Sequence, residues 1–238
     1  KTKINTMVIR SILFYVFLVL WTIFMGTICL PYLFVSYHYL RKPVNIWIKG
    51  IFKLLQIICN ITYEIRGKEN IPSYAVLVAS KHQSTFETFA LFLYLNKSIF
   101  IHKKQLFYIP IFGQYLMKAK MISIDRSKGS IAIRKMLNQA KLKISQGHSI
   151  IIFPEGTRKK PGENPDYKTG IAGIYKELKT EVLPVAVNSG HFWPKHIIIK
   201  KPGKIIIKFL KLIPSQLEKS EFLQKIESVI EEETNKII

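Results

Sequence analysis

His82 and Glu87 stand five residues apart in "SKHQSTFET" (residues 80–88), directly after the apolar run "AVLVA". An imidazole titrates near neutral pH and suits proton abstraction; a carboxylate beside it fixes the tautomer and stabilises the imidazolium that forms. Ser84 and Glu87 also fit a helix capping box, with Ser84 at the N-cap and Glu87 at the third helical position. The two readings are compatible, because a glutamate at that position folds back toward the helix start, where His82 lies. The same spacing recurs at Ser215 and Glu218 with no histidine upstream. The box alone marks a helix start; His82 is what adds chemistry.

A second constellation is "IIFPEGTRKK", residues 151–160. An apolar strand ends at Phe153 and a turn follows. Gly156 lets backbone approach an anion closely. Exposed N–H groups, the Thr157 hydroxyl and the Arg158 guanidinium then compose a phosphate cradle. The chain has no Walker A sequence, no G-x-G-x-x-G and no G-x-S-x-G. Nucleotide hydrolysis, dinucleotide binding and serine esterase chemistry therefore lack their usual markers. Cys29 and Cys59 lie in apolar segments without metal-ligand or disulfide spacing. His191 and His196 have no carboxylate near them, and no metal site is expected.

The elements that must position these groups follow from short apolar runs alternating with amphipathic stretches. Residues 75–79, 98–101, 121–124, 149–153, 182–187, 196–200 and 204–210 read as strands buried on both faces. "TFETFALFLYLN", "SIAIRKMLNQAKLKISQG" and "TGIAGIYKELK" read as the helices between them, with Gly147 closing the second. The alternation predicts an α/β fold: a mixed, largely buried sheet covered by helices. A last helix is expected from Pro214, capped by Ser215 and Glu218.

The 238 residues carry a formal net charge of +21 and are nonetheless 48% hydrophobic. That pairing excludes a disordered basic tail and points to an anionic surface or substrate, phospholipid or nucleic acid. Residues 97–135 are the densest basic stretch, with Asp125 their only acidic residue. From Ser11 to Phe34 there is no charge, which is long enough for a membrane helix and too long for a signal-peptide core. "PVNIWIKGIFKLLQIIC" (43–59) has the pattern of an amphipathic helix lying among headgroups, with packing on the domain's own core or a second, tilted membrane-dipping helix as the alternatives. The expected organisation is membrane-anchoring helices over 1–60, a catalytic domain over 61–213 and a C-terminal helix over 214–238.

"HQSTFE" followed about 70 residues later by "FPEGTR" resembles the glycerolipid acyltransferase family, specifically the 1-acylglycerol-3-phosphate acyltransferases. "HKKQLFYIPIFGQYL" with "ISIDR", and "VLPVAVNSG", are similar to two further blocks of that family in the same order. Its first motif is usually H-x4-D; here position 87 is Glu, one methylene longer with the charge kept. The resemblance implies transfer of an acyl group from a thioester, acyl-CoA or acyl carrier protein, to the sn-2 hydroxyl of lysophosphatidic acid, giving phosphatidic acid without a further cofactor. Glycerol-3-phosphate or another lysophospholipid is the alternative acceptor, and a non-enzymatic basic membrane protein the distant one. His82 and Glu87 would be catalytic. Glu155, Gly156, Thr157 and Arg158 would bind the acceptor, with Lys104 and Arg126 as basic partners. Phe107, Ile109 and Pro110 are candidates for an acyl channel. The implied location is a membrane, with the catalytic domain on its cytoplasmic face and no nucleic-acid partner.

Overall fold

The computed structural model describes residues 2–109, 112–125 and 129–238. Its elements are α1 (Thr2–Ile28), α2 (Arg41–Cys59), β1 (Ile61–Arg66), β2 (Leu77–Ser80), α3 (Phe86–Tyr94), β3 (Ser98–Lys103), α4 (Phe112–Lys118), β4 (Ile122–Ile124), α5 (Gly129–Ser145), β5 (Ser149–Ile152), α6 (Gly170–Leu178), β6 (Val182–Val187), β7 (Gly203–Phe209) and α7 (Lys219–Lys236). The strands form one sheet in the order β1-β7-β6-β2-β5-β3-β4. All neighbours are parallel except β6 and β7. β2, β5 and β6 are buried along their whole length, which is why their sequences are continuously apolar rather than alternating.

Two clusters cover the two faces. One joins Val78, Ile151, Leu183 and Ile205 to Phe86, Leu91 and the α2 residues Ile48, Ile51, Phe52 and Leu55. The other joins Leu77, Ile150 and Val182 to Met136, Tyr175, Phe222, Ile226 and Ile230 of α5, α6 and α7. The apolar face of α2 is therefore spent on the domain core rather than on a bilayer. Four such buried side chains, at about 1.5–3 kcal/mol each, hold this helix to the sheet. Its exposed side keeps Lys42, Lys49, Lys53, Ile46 and Ile57.

α1 docks by one stripe and leaves the other bare. Ser11 and Phe14 are fully buried, whereas Ile12, Leu13, Val16, Phe17, Val19, Leu20, Ile23 and Phe24 are exposed. Its Ile4–Ile28 span has a mean hydropathy of 2.2 and is long and apolar enough to cross a membrane. Gly50 of α2 makes room for the Trp21 ring, which a Cβ would meet at 2.4 Å.

Three expectations need correction. Residues 196–200 are not a strand. Lys200 turns inward, where its ammonium donates to the Tyr15 hydroxyl at 2.8 Å and to the carbonyl of Ile198 at 2.9 Å, while its backbone N–H donates to Ser11 Oγ at 2.7 Å. This segment locks α1 to the domain instead of extending the sheet. Residues 61–66, not expected as a strand, form β1 beside β7. The last helix begins at Lys219 with Glu218 at its N-cap, so Ser215 caps nothing. The turn before it is held instead by Tyr175, whose hydroxyl donates to the Pro214 carbonyl and accepts from the Leu217 N–H.

Candidate active site

Parallel register brings the two motifs together. Leu77, Val78 and Ala79 of β2 lie beside Ile150, Ile151 and Ile152 of β5. The chain leaving β2 therefore carries His82 out next to the chain leaving β5, which carries Phe153 to Arg158. Ser189 leaves the same edge after β6, the other parallel neighbour of β2. Such sites outside the carboxyl ends of parallel strands are where open α/β sheets place ligands.

The imidazole is fixed on two sides. Its Nδ1 lies 2.9 Å from Glu87 Oε1, and its ring stacks on Phe153 with centroids 3.8 Å apart. The side chain keeps 16% exposure while Glu87 has none. With Nδ1 engaged by the carboxylate, Nε2 is the nitrogen left for a substrate. Glu87 is satisfied fully. Oε1 also accepts the backbone N–H groups of Gln83 and Ser84, each at 2.7 Å, and Oε2 accepts the hydroxyls of Ser84 and Ser189, each at 2.7 Å. Burial works to raise this carboxyl, but the His82 contact, the Ser84 N–H and the Ser189 hydroxyl outweigh it and hold it below the ordinary value.

The capping arrangement is present with a shift of one residue. α3 starts at Phe86 with Thr85 at its N-cap, and Ser84 Oγ accepts from the Phe86 N–H at 2.9 Å. The reach back of Glu87 to the Ser84 N–H is the part that survives unchanged. The two readings of "HQSTFE" thus coexist: the helix start holds the carboxylate that holds the ring.

The second motif packs directly against the first. The Lys159 N–H donates to the His82 carbonyl at 2.8 Å, and Arg158 Nη1 donates to Thr85 Oγ1 at 3.2 Å. The turn is closed by the Gly156 N–H on the Phe153 carbonyl, with Gly156 at φ 66°, a conformation glycine adopts without strain. Thr157 is exposed, and Lys195 bridges its hydroxyl and the Arg158 carbonyl at 3.1 and 3.2 Å. Arg158 thus stands one hydrogen bond from the dyad's own helix start, and Lys195 ties Thr157 to the Arg158 backbone.

Glu155 is not on that surface. It is fully buried, its Oε2 accepts the His82 backbone N–H at 2.9 Å, and its Oε1 lies 2.7 Å from the Lys81 ammonium. That last contact is a buried ion pair. Burial pushes the Glu155 carboxyl up to about 7, offset in part by Lys81 and the His82 N–H and increased by Glu231. The cation it holds is Lys81, and its other oxygen supports the backbone of His82. Lys104 is half-exposed, 3.7 Å from Asp125. Arg126 and Pro110 lie outside the described residues; Ile109 is exposed and Phe107 packs edge-on against His102.

Sequence reasoning missed four residues of the network around the dyad. Ser189 carried a signal, since it sits in the "VLPVAVNSG" block. Lys81 is a lysine at the end of a buried strand, unusual enough to notice. Phe153 reads in sequence as a strand end, and nothing local marks it as the ring under an imidazole. Glu231 had no readable signal, being one of several glutamates on a distant helix.

The acyltransferase family model matches residues 62–188, a span that includes both motifs. A 1-acyl-sn-glycerol-3-phosphate acyltransferase of Pseudomonas aeruginosa is 36% identical over 200 residues, covering 83% of this chain and 77% of its own. One from Cocos nucifera is 29% identical over 163 residues; these span 68% of this chain and about half, 53%, of the length of that relative. The crystal structure of the 1-acyl-sn-glycerophosphate acyltransferase of Thermotoga maritima superposes with a TM-score of 0.79, covering 99% of this chain and 98% of that one at 24% identity, a likeness of fold. On the matched domain and the identity to the Pseudomonas enzyme, this chain belongs to the acyltransferase family and is an acyltransferase.

Proposed function

We propose that the protein transfers a fatty acyl group from an acyl thioester to the sn-2 hydroxyl of lysophosphatidic acid, forming phosphatidic acid. The observation that carries this reading is the pairing of a partly exposed imidazole, held by a buried carboxylate, with a guanidinium one hydrogen bond from the same helix start. An alcohol needs a base at the moment it attacks; the phosphate monoester needs a cation to hold it. Both stand at one sheet edge.

In this reading His82 Nε2 takes the hydroxyl proton as the oxygen bonds to the thioester carbonyl carbon. The resulting imidazolium is stabilised by Glu87. As the tetrahedral intermediate collapses, the carbon–sulfur bond breaks and the proton passes to the departing thiolate. No covalent enzyme intermediate is needed. The base supplies about 10²–10⁴-fold, and holding acceptor and donor in line supplies much of the remainder. Arg158, Thr157 and Lys195 bind the phosphate, with Lys104 and Arg126 as further basic partners; the bidentate geometry of a guanidinium suits Arg158 to the main contact. Glu155 and Gly156 shape the turn from below.

Membrane binding belongs to the same proposal, because acceptor and product are both lipids. The exposed apolar stripe of α1 supports it. Residues 1–60 would anchor and 61–213 catalyse, with 214–238 closing the second face of the sheet. A catalytic domain on the cytoplasmic face would meet the thioester donor, either acyl-CoA or an acylated carrier protein.

The test is an acceptor panel with purified protein in mixed micelles: lysophosphatidic acid, glycerol-3-phosphate and lysophosphatidylcholine, each with acyl-CoA and with acyl carrier protein thioester. Turnover should be fastest with lysophosphatidic acid. Preference for glycerol-3-phosphate or for the choline lipid would overturn the acceptor assignment.

A further inference from the structure

α7 is the last helix of the chain, yet one of its side chains reaches the underside of the dyad. Both carboxylate oxygens of Glu231 hold the Lys81 ammonium, at 2.7 and 2.8 Å. The Tyr167 hydroxyl donates to Glu231 Oε1 at 3.0 Å. The same ammonium lies 2.7 Å from Glu155 Oε1, and the other oxygen of Glu155 takes the His82 N–H. Lys81 is 3% exposed and Glu155 not at all. One cation is thus shared by two carboxylates in a largely buried setting, directly under the base.

Ion clusters of this kind are poor sources of stability, since desolvation offsets their attraction and apolar replacements often do as well. What they supply is geometry. Glu155 on one side and the Lys159 N–H on the other hold the backbone N–H and C=O of His82, while Glu87 and Phe153 hold its ring. Glu231 is the carboxylate that grips the ammonium with both oxygens, whereas Glu155 meets it with one. A cavity of about 600 Å³ between α7 and the 161–165 loop is lined by Lys81, Gln83, Glu227 and Glu231 among others. Without Glu231, Glu155 would be the one carboxylate among the described residues left on the Lys81 ammonium.

We propose that Glu231 is a positioning residue for the His82 base: it sets the Lys81 ammonium, which sets the Glu155 carboxylate that holds the His82 backbone. This rests on the reading of His82 as the base. It gives the C-terminal helix a part in the reaction through the backbone of the base. Loss of the contact lets the imidazole drift from its place over the acceptor hydroxyl, and misplacement of a catalytic group by about 1 Å costs up to about 100-fold in rate.

The experiment uses the full-length protein with histidines labelled by ¹⁵N, so that exchange of the His82 amide is followed beside that of His148, which donates to the Lys143 carbonyl at the end of α5. Glu231→Leu and the isosteric Glu231→Gln are compared with the parent for kcat, for KM toward lysophosphatidic acid and acyl-CoA, and for amide exchange. The expected result is a kcat about tenfold lower for Glu231→Leu with both KM values within about twofold, selectively faster exchange at His82, and a smaller loss on both readouts for Glu231→Gln. Should the leucine variant not fold, the glutamine variant carries the same measurements. An unchanged kcat overturns the proposal. So does a loss of rate with His82 exchange unchanged, or with His82 and His148 exchange raised alike, since the role of Glu231 would then be general stability. His82→Ala in the same assay separates the two levels. Full turnover in that variant removes the base itself, whereas an inactive His82→Ala beside a fully active Glu231→Leu removes only the part assigned to α7.

Discussion

Glu87 Oε1 lies 2.9 Å from His82 Nδ1 while the same carboxylate, wholly buried, accepts four further hydrogen bonds from Gln83, Ser84 and Ser189. A carboxylate so placed cannot swing toward substrate. Its task is to hold the ring in one tautomer and to stabilise it when charged. Glu87→Gln keeps the shape and removes the charge. Its kcat should fall by about 10²-fold or more while KM for the acceptor changes little. Glu87→Asp keeps the charge one methylene further back and should retain part of the rate. Equal activity of Gln and Glu at this position would show that the charge is not used.

Ser189 donates to Glu87 Oε2 from the far side of the sheet edge. Ser189→Ala leaves one buried carboxylate oxygen with fewer donors, and hydrogen bonds to charged groups contribute about 1.5–3 kcal/mol. Thermal unfolding should move down by several degrees and kcat should drop more modestly than in Glu87→Gln. A variant with parent stability would mean that the other donors to Glu87 suffice.

Arg158 reaches the dyad's helix start through Thr85. Arg158→Ala should raise KM for lysophosphatidic acid by about tenfold or more, as expected for loss of a charge-assisted phosphate contact, with a smaller effect on kcat. Arg158→Lys should recover only part, because the bidentate geometry is lost. An unchanged acceptor KM in Arg158→Ala would place the phosphate elsewhere.

The ordinary carboxyl value of 4.5 rises to about 7 at Glu155, first through burial. A raised folded value means that the folded protein holds more protons than the unfolded chain between those pH values. The contribution of this group to stability is therefore greatest at low pH and falls as pH rises through the window, by up to about 3 kcal/mol. Glu155→Gln cannot titrate. Its stability relative to the parent should increase steadily from pH 4.5 to 7, as read from unfolding midpoints across that range. Parallel curves would contradict the raised value.

Much of this architecture was legible because burial on both faces writes itself into continuous Ile and Val runs. β2, β5 and β6 fall within two residues of their expected limits. The Gly147 stop of α5 was readable too, since Gly147 at φ 78° donates to the Ile144 carbonyl and His148 to that of Lys143. The run at 196–200 misled for a physical reason. Apolar period alone cannot tell a strand from a segment whose backbone is claimed by one inward lysine and one serine of α1. The dyad was readable because its two members lie on one turn. Ser189 and Glu231 were not assigned, because what joins them to His82 is strand register and helix packing, which local spacing does not encode. Glu155 was placed with the substrate on its motif; its burial beneath Lys81 is a tertiary fact.

The most direct measurement is turnover of lysophosphatidic acid and acyl-CoA by His82→Ala, made on protein whose unfolding midpoint matches the parent. The expected result is a loss of about 10²–10⁴-fold in kcat with acceptor binding retained. Parent-level turnover in that folded variant would contradict it.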